Sequence, residues 1–432
     1  MPERGGNLLT LTALALAVGA ATGAVCAIFR MALEQADRLR DLVIAWAHGQ
    51  AFVGFLLVVT TGAAAALAAW LVRRFAPHAT GSGIPHVEAV LRQEVPPASF
   101  LVLPVKFVGG LLAIGSGLAL GREGPSVQMG ASIAHIAATL SQRCWADSRV
   151  LMAAGAGAGL ATAFNAPIAG AVFVLEELVQ RFEQRIAIAA LAASATAIGT
   201  ARAILGNQTD FTVIALDHVP SLSLPLFLVL GAVAGLLAVG YNRSLLATMA
   251  AFERLRVLPP EARAALVGAA VAVVAWYAPS FVGGGDALTQ RALSGVEPLA
   301  FLPVLFLLRL VMGHASYAAG TPGGLFAPML VLGAQSGLLF GAACLLVFPG
   351  LGIPAQAFAV VGMAAFLTGV VRAPLTGIVL IIEMTAAFTL LLPMLGACCA
   401  AMLVPTLLRN LPIYESLRDG TLRRERALRR KE

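Results

Sequence analysis

Three short runs in this sequence join glycine to proline in apolar surroundings: GSGIP at 81–85, GREGP at 121–125 and GLFAP at 324–328. Proline suits the first turn of a helix, where its missing N–H costs nothing, and glycine lets the chain turn sharply just before it. Each helix started in this way presents free N–H groups and roughly half a positive charge at its beginning. Several such ends converging at membrane depth would hold an anion without any full positive charge. That suits an ion that must also leave, because a lysine or arginine in direct contact would bind it too tightly. One such turn is a kink or a loop; three together point to an anion site.

A few ionisable residues fall where they are expensive. Glu123, inside GREGP, sets a carboxylate beside these helix starts, a costly place unless it has a task or a partner such as the adjacent Arg122. Glu176 and Glu177 end the apolar run 171–175, where a pair of acids ordinarily marks a solvated border. Lys106 sits inside an apolar run, and Glu88, just after GSGIP, is its candidate partner; snorkelling to the interface is the alternative. The five cysteines, Cys26, Cys144, Cys344, Cys398 and Cys399, lack metal-ligand spacing, so they read as structural thiols and no metal or organic cofactor is expected. GGGD at 283–286 superficially fits the GxGD of intramembrane aspartyl proteases. That chemistry needs two carboxylates sharing a proton, and the other aspartates, at 37, 41, 147, 210, 217 and 419, fall outside the apolar spans. With no HExxH or nucleophile–base pattern either, no enzymatic activity is expected.

The elements that must position these residues are helices in lipid. Of 432 residues 59% are hydrophobic and 12% charged, with a mean hydropathy of +0.87. A soluble domain carries about a quarter charged residues, so half of that implies a bilayer as solvent. Apolar stretches recur at 8–29, 52–72, 100–120, 150–175, 222–239, 264–277 and 354–382, some near the roughly 20 residues a span requires and others shorter or broken. With 44 Gly and 23 Pro, tightly packed and partly discontinuous helices are expected. The net charge of +7 owes much to Arg423, Arg424, Arg426, Arg429, Arg430 and Lys431 at the end of the chain. A basic tail after the last apolar segment reads as positive-inside and places the C-terminus in the cytoplasm, which sets aside a nucleic-acid partner. Residues 1–7 carry only Glu3 and Arg4, and segment 8–29 reads as a span or uncleaved anchor.

The chain also repeats itself. GREGP with Gly130-Ala131 aligns without a gap on GLFAP with Gly333-Ala334, and 155–177 aligns without a gap on 362–384. In the second pair Pro167, Gly170 and Glu176 fall on Pro374, Gly377 and Glu383. The offsets are 203 and 207 residues, and both matches occur in the same order. A single membrane domain over 1–432 is expected, with one repeat at about 51–206, a second at about 223–410 and a basic tail at 415–432. Repeats of this kind build transporters, with the ligand at the repeat interface near the midplane. Glu123 aligns with Phe326 and Glu177 with Met384, so neither acid is required by the shared architecture.

GSGIP, GREGP and GGLFAP (323–328) resemble, in order and spacing, the three signature motifs of CLC chloride channels and transporters. The resemblance extends over most of the chain, through VKFVGG (105–110), FNAPIAG (164–170), RAPLTG (372–377) and Tyr414. It implies an all-α membrane protein, a CLC-type inverted-repeat bundle of more than ten tilted, partly discontinuous transmembrane helices. The implied assembly is a homodimer in a bacterial inner membrane, with plausible dimer surfaces at 185–250 and 375–410. Carried over position by position, Ser82 and Tyr414 supply hydroxyls to the central anion. Backbone N–H groups of Leu325 and Phe326 complete the site, with Gly83 and Ile84 of the first motif. Glu123 becomes the gate that takes the anion's place when charged and swings away when protonated. Glu177 becomes the internal proton acceptor, and Arg122, Lys106 and Glu88 become supporting residues. The implied activity is chloride/proton antiport, with chloride and protons as the transported partners; a passive chloride channel and a fluoride-type relative are the alternatives. His86 departs from the family, since many bacterial relatives carry an acid there.

Overall fold

The structure is a computed structural model that describes residues 7–47, 51–207, 210–213, 219–220, 223–255, 257–350 and 352–429, without the side chains of 47, 51 and 424–429. Glu3, Arg4, Asp217, Arg430 and Lys431, each weighed above, lie outside the described residues, as do the side chains of Arg424, Arg426 and Arg429.

Helix length separates two kinds of element. The first half contains α1 (Leu8–Ala47), α2 (Ala51–Phe75), α3 (Ile84–Leu91), α4 (Val102–Gly115), α5 (Glu123–Leu140), α6 (Trp145–Phe164), α7 (Pro167–Phe173) and α8 (Gln184–Leu205). The second contains α9 (Leu224–Arg254), α10 (Pro260–Tyr277), α11 (Asp286–Leu293), α12 (Leu302–Ala318), α13 (Phe326–Val347), α14 (Ala355–Val371), α15 (Pro374–Thr385) and α16 (Leu391–Leu407), and α17 (Ile413–Arg429) follows. Among the described residues 7 helices are long and apolar enough to cross a membrane. Helices such as α3, with 8 residues, or α7, with 7, are far too short to span. No β-strand forms among the described residues, only two isolated bridges.

The two halves are the same device used twice, in opposite orientations. Ala76 before α3 has φ −152° and ψ 79°, and Ala278, 202 residues on, has φ −148° and ψ 79°. Gly83 caps α3 with φ 81°, as Gly285 caps α11 with φ 101°. α1 packs on α8 as α9 packs on α16, and α5 on α6 as α13 on α14. Two reciprocal contacts fix the relative direction. Gly121 and Gly324, equivalent positions, exchange N–H···O bonds of 2.9 and 2.7 Å in an antiparallel bridge. Glu176, at the end of α7, accepts from the N–H groups of Leu375 (3.0 Å) and Thr376 (2.6 Å) at the start of α15. Its equivalent Glu383, near the end of α15, accepts from Ile168 (3.1 Å) and Ala169 (2.8 Å) at the start of α7. Each helix caps the beginning of the other, so the two run antiparallel and the repeat is inverted.

Small residues set the packing distance. Backbone meets backbone where Gly130 of α5 touches Gly155 of α6, and again where Gly333 of α13 touches Gly362 of α14. Without a hydrophobic force between helices in lipid, such close approach is what gains van der Waals contact. α6 and α14 are buried throughout 150–164 and 357–371 and form the centre of each half. Large apolar side chains such as Phe55, Leu191, Leu236 and Leu403 are exposed on the outer helices, as a lipid-facing surface requires.

Candidate anion site between the repeats

Three helix starts are stitched together at the seam. Gly81 donates to Thr321 O (3.1 Å) and accepts from Gly323 N (3.0 Å), while Gly121 and Gly324 pair reciprocally. The GSGIP, GREGP and GGLFAP turns therefore meet, and the beginnings of α3, α5 and α13 lie together inside the protein.

Glu123 fills the meeting point. Its side chain is fully buried, and Oε1 accepts from Phe326 N at 2.7 Å and Ala327 N at 3.4 Å, at the start of α13. Its other oxygen, Oε2, has no hydrogen-bond partner. A Cβ on Gly121 or on Gly324 would overlap this carboxylate, so a glycine from each repeat makes the room for it. An acid of the first repeat thus caps a helix of the second through the N–H groups an anion would use.

Two hydroxyls border the same place. Ser82 is fully buried with Oγ unpartnered; a Cβ on Gly124 would come within 2.5 Å of that oxygen, so glycine there lets α5 begin against Ser82. Tyr414 is fully buried with Oη unpartnered, its ring stacked on Phe326 at 6.0 Å. Leu325, the residue before α13, is buried as well. Gly83 and Ile84 open α3, with Pro85 in its first turn.

Among the supporting residues one expected pairing is corrected and one alternative falls away. Arg122 does not pair with Glu123: it donates to Ala163 O (3.0 Å) and Asp286 Oδ2 (3.1 Å). Lys106 does not pair with Glu88, nor does it snorkel. Its ammonium is buried and donates to Ala79 O (2.9 Å) and Gly81 O (2.7 Å), fixing the turn that carries Ser82. Glu88 is held instead by Arg418 (2.5 Å), which ties α17 to α3, and by Arg92 (2.9 Å) at the end of α3 itself. The physical reason is local: carbonyls at a tight turn before a helix are free acceptors, and Lys106 reaches them first.

The sequence reading missed the repeat partner of Lys106. Arg309, 203 residues on, is buried and donates to Phe281 O (3.0 Å), Gly283 O (3.0 Å) and Gly284 O (3.1 Å). Each half thus clamps the turn before its short helix with one buried cation. The GGGD run is accordingly the second-repeat form of the GSGI turn; the alignment offset was the available signal. α1 runs on to Ala47, past segment 8–29, and brings Asp37 to the same cavity as Asp286. Each of these aspartates is held by its own arginine, Asp37 by Arg40 (2.6 Å) and Asp286 by Arg122 (3.1 Å).

Glu177 lies in a single π-turn, Val174–Leu178, that continues α7, and it is 5% exposed. Its counterpart Met384 sits in regular α-helix. An inserted π-turn changes which face a side chain presents and recurs at functional positions. Ring contacts from Phe173 (5.9 Å) and Tyr414 (6.0 Å) to Phe326 lead across the apolar interior towards Glu123. Two cavities reach the seam. One of about 600 Å³ touches Gly121, Arg122 and Ala327; another of about 440 Å³ touches Gly81, Gly83 and α17. They share no lining residue.

An anion-type site made of buried helix starts at the seam of two inverted membrane repeats defines a membrane transport protein. The chain belongs to the voltage gated chloride channel family, the CLC proteins, whose family profile it matches over residues 64–406. It is 37% identical over 434 positions to the H(+)/Cl(-) exchange transporter ClcA of Vibrio parahaemolyticus, covering 98% of this chain and 92% of that protein. It is also 37% identical to the transporter of the same name from Cronobacter sakazakii, with 97% and 91% covered. A solved slow cyanobacterial Cl−/H+ antiporter superposes with a TM-score of 0.92 at 32% identity, covering 95% of this chain and 98% of that one.

Proposed function

We propose that this protein exchanges chloride for protons across a membrane, with the charged Glu123 carboxylate and chloride contending for the same helix-start donors. The observation that carries the reading is the 2.7 Å bond from Phe326 N to Glu123 Oε1. Charged, the carboxylate takes the donors at the start of α13; protonated, it loses its claim on them and a chloride ion takes its place. The donors then hold either the charged carboxylate or chloride, so protonation of Glu123 and entry of chloride are coupled. Ser82 and Tyr414, with free hydroxyls, are the side-chain donors to chloride, beside the backbone N–H groups of Leu325 and Phe326. The exchangers named above, alike over nearly their full length, support the same ions.

Glu177 is the internal proton acceptor in this reading. It lies among Glu88, Arg92 and Glu415, on the side of α17, separated from Glu123 by the Phe173, Phe326 and Tyr414 rings. The protein works as a homodimer in the bacterial inner membrane, with α17 and the basic tail in the cytoplasm.

Purified protein in liposomes tests this directly. A chloride gradient with no opposing proton gradient is imposed and external pH is recorded. Exchange predicts proton movement opposite to chloride, lost in Glu123→Ala while chloride flux persists. Chloride flux without proton movement in the unmodified protein would leave a passive pathway in its place.

A further inference from the structure

The cavity on the α17 side ends at a tyrosine that neither the motifs nor the repeat singled out. Tyr317, near the end of α12, is 6% exposed and lines that cavity together with Gly81 and Gly83. Its Oη accepts the N–H of Ser82 at 3.5 Å, at the long limit of a hydrogen bond and easily given up. A Cβ on Gly81 would lie 3.0 Å from the same oxygen, so the bare Gly81 backbone is what lets the ring approach. The hydroxyl can also donate, and no acceptor for its proton occurs among the described bonds. Tyr317 therefore stands where the cavity meets the first N–H of the anion site, next to the free Ser82 hydroxyl and in the same electrostatic neighbourhood as Tyr414 and Glu123.

We propose that Tyr317 is a third hydroxyl donor of the anion path and a determinant of its selectivity, an assignment that rests on the chloride-exchange reading. An anion arriving from the cavity takes the Ser82 N–H from Tyr317 Oη and accepts a hydrogen bond from the tyrosine O–H in the same movement. The hydroxyl thus holds the empty donor until the anion replaces it. A hydroxyl donor substitutes for hydration water, which matters most to a strongly hydrated ion. Loss of the hydroxyl therefore penalises chloride more than a weakly hydrated anion such as thiocyanate.

The test is Tyr317→Phe, which keeps the ring, with Tyr317→Met as a second variant that also lacks a hydroxyl. Chloride binding is measured by calorimetry on purified protein in chloride-free buffer, and chloride and thiocyanate fluxes are measured in liposomes. Removing one neutral hydrogen bond predicts a chloride affinity about three- to tenfold weaker. It also predicts a raised thiocyanate-to-chloride flux ratio and a smaller chloride-induced rise in Tm. The chloride-free Tm of Tyr317→Phe falls by no more than the loss of the long Ser82 N–H bond allows, a small drop set against the larger loss in chloride-bound protein, which separates a lost donor from lost packing. Unchanged or tighter chloride binding with an unchanged flux ratio overturns the assignment while leaving exchange standing. Absence of chloride binding in the unmodified protein overturns the exchange reading and this one with it.

Discussion

Lys106 and Arg309 carry charge into the interior with no ion pair to either among the described residues, and each bonds only to main-chain carbonyls. A buried charge is tolerated when it is hydrogen-bonded, and the turns before α3 and α11 supply acceptors in fixed places, leaving only Nε of the Arg309 guanidinium nitrogens without one. Sequence reasoning looked for an acid because opposite charges are visible in a sequence and turn carbonyls are not. The two explanations separate experimentally. Lys106→Met leaves the Ala79 carbonyl without a donor, at about 1–3 kcal/mol when buried, while Gly81 O keeps the Gly323 N–H, so a fall in Tm is expected for the variant in detergent. Adding Glu88→Gln does not restore it, because Glu88 answers to Arg418 and Arg92. Rescue by the double variant would revive the Lys106–Glu88 pair.

At the scale of elements, neighbouring acids do separate work. As a pair, Glu176 and Glu177 carry the pattern of a solvated border, and the resemblance sets only Glu177 apart, because a sequence cannot show that α7 ends against the start of a helix 200 residues away. The repeat alignment made Glu176 and Glu383 equivalent, but only the packing of α7 against α15 reveals that each caps the other. The π-turn at 174–178 was equally invisible, since it is imposed where α7 must deliver both side chains at once, Glu176 to α15 and Glu177 to the interior. What the sequence did convey was the set of helix starts, because glycine and proline act locally, and the inequality of the two repeats at Glu123 and Glu177. Removing a helix-capping side chain costs about 0.5–2 kcal/mol. Glu176→Ala is therefore expected to lower stability by about that amount, measured as a Tm shift, and to loosen the seam. Glu177→Gln keeps shape and hydrogen-bonding capacity, so its Tm should hold while proton movement in the liposome assay is lost. A Glu177→Gln protein that still moves protons normally would return that residue to the solvated border.

For the molecule as a whole, the inverted repeat produces two approaches to one seam. The larger cavity is bordered by α1 and the start of α11, with Ser280 on its wall; the smaller is bordered by α12 and α17, with Thr80 on its wall. They share no lining residue, and Glu123 lies fully buried at the seam between them. An exchanger needs that arrangement, since an open connection would let chloride run down its gradient without a proton. The prediction concerns sidedness. In a background with Cys144 and Cys399 replaced by alanine, Ser280→Cys and Thr80→Cys are made singly and reconstituted, with the orientation of α17 scored by proteolysis of its basic tail. A charged, membrane-impermeant thiol reagent should label Thr80→Cys only from the face that carries the tail and Ser280→Cys only from the opposite face. Labelling of both from one face would mean that the cavities open to the same solution, and the seam could then not separate the two sides of a membrane.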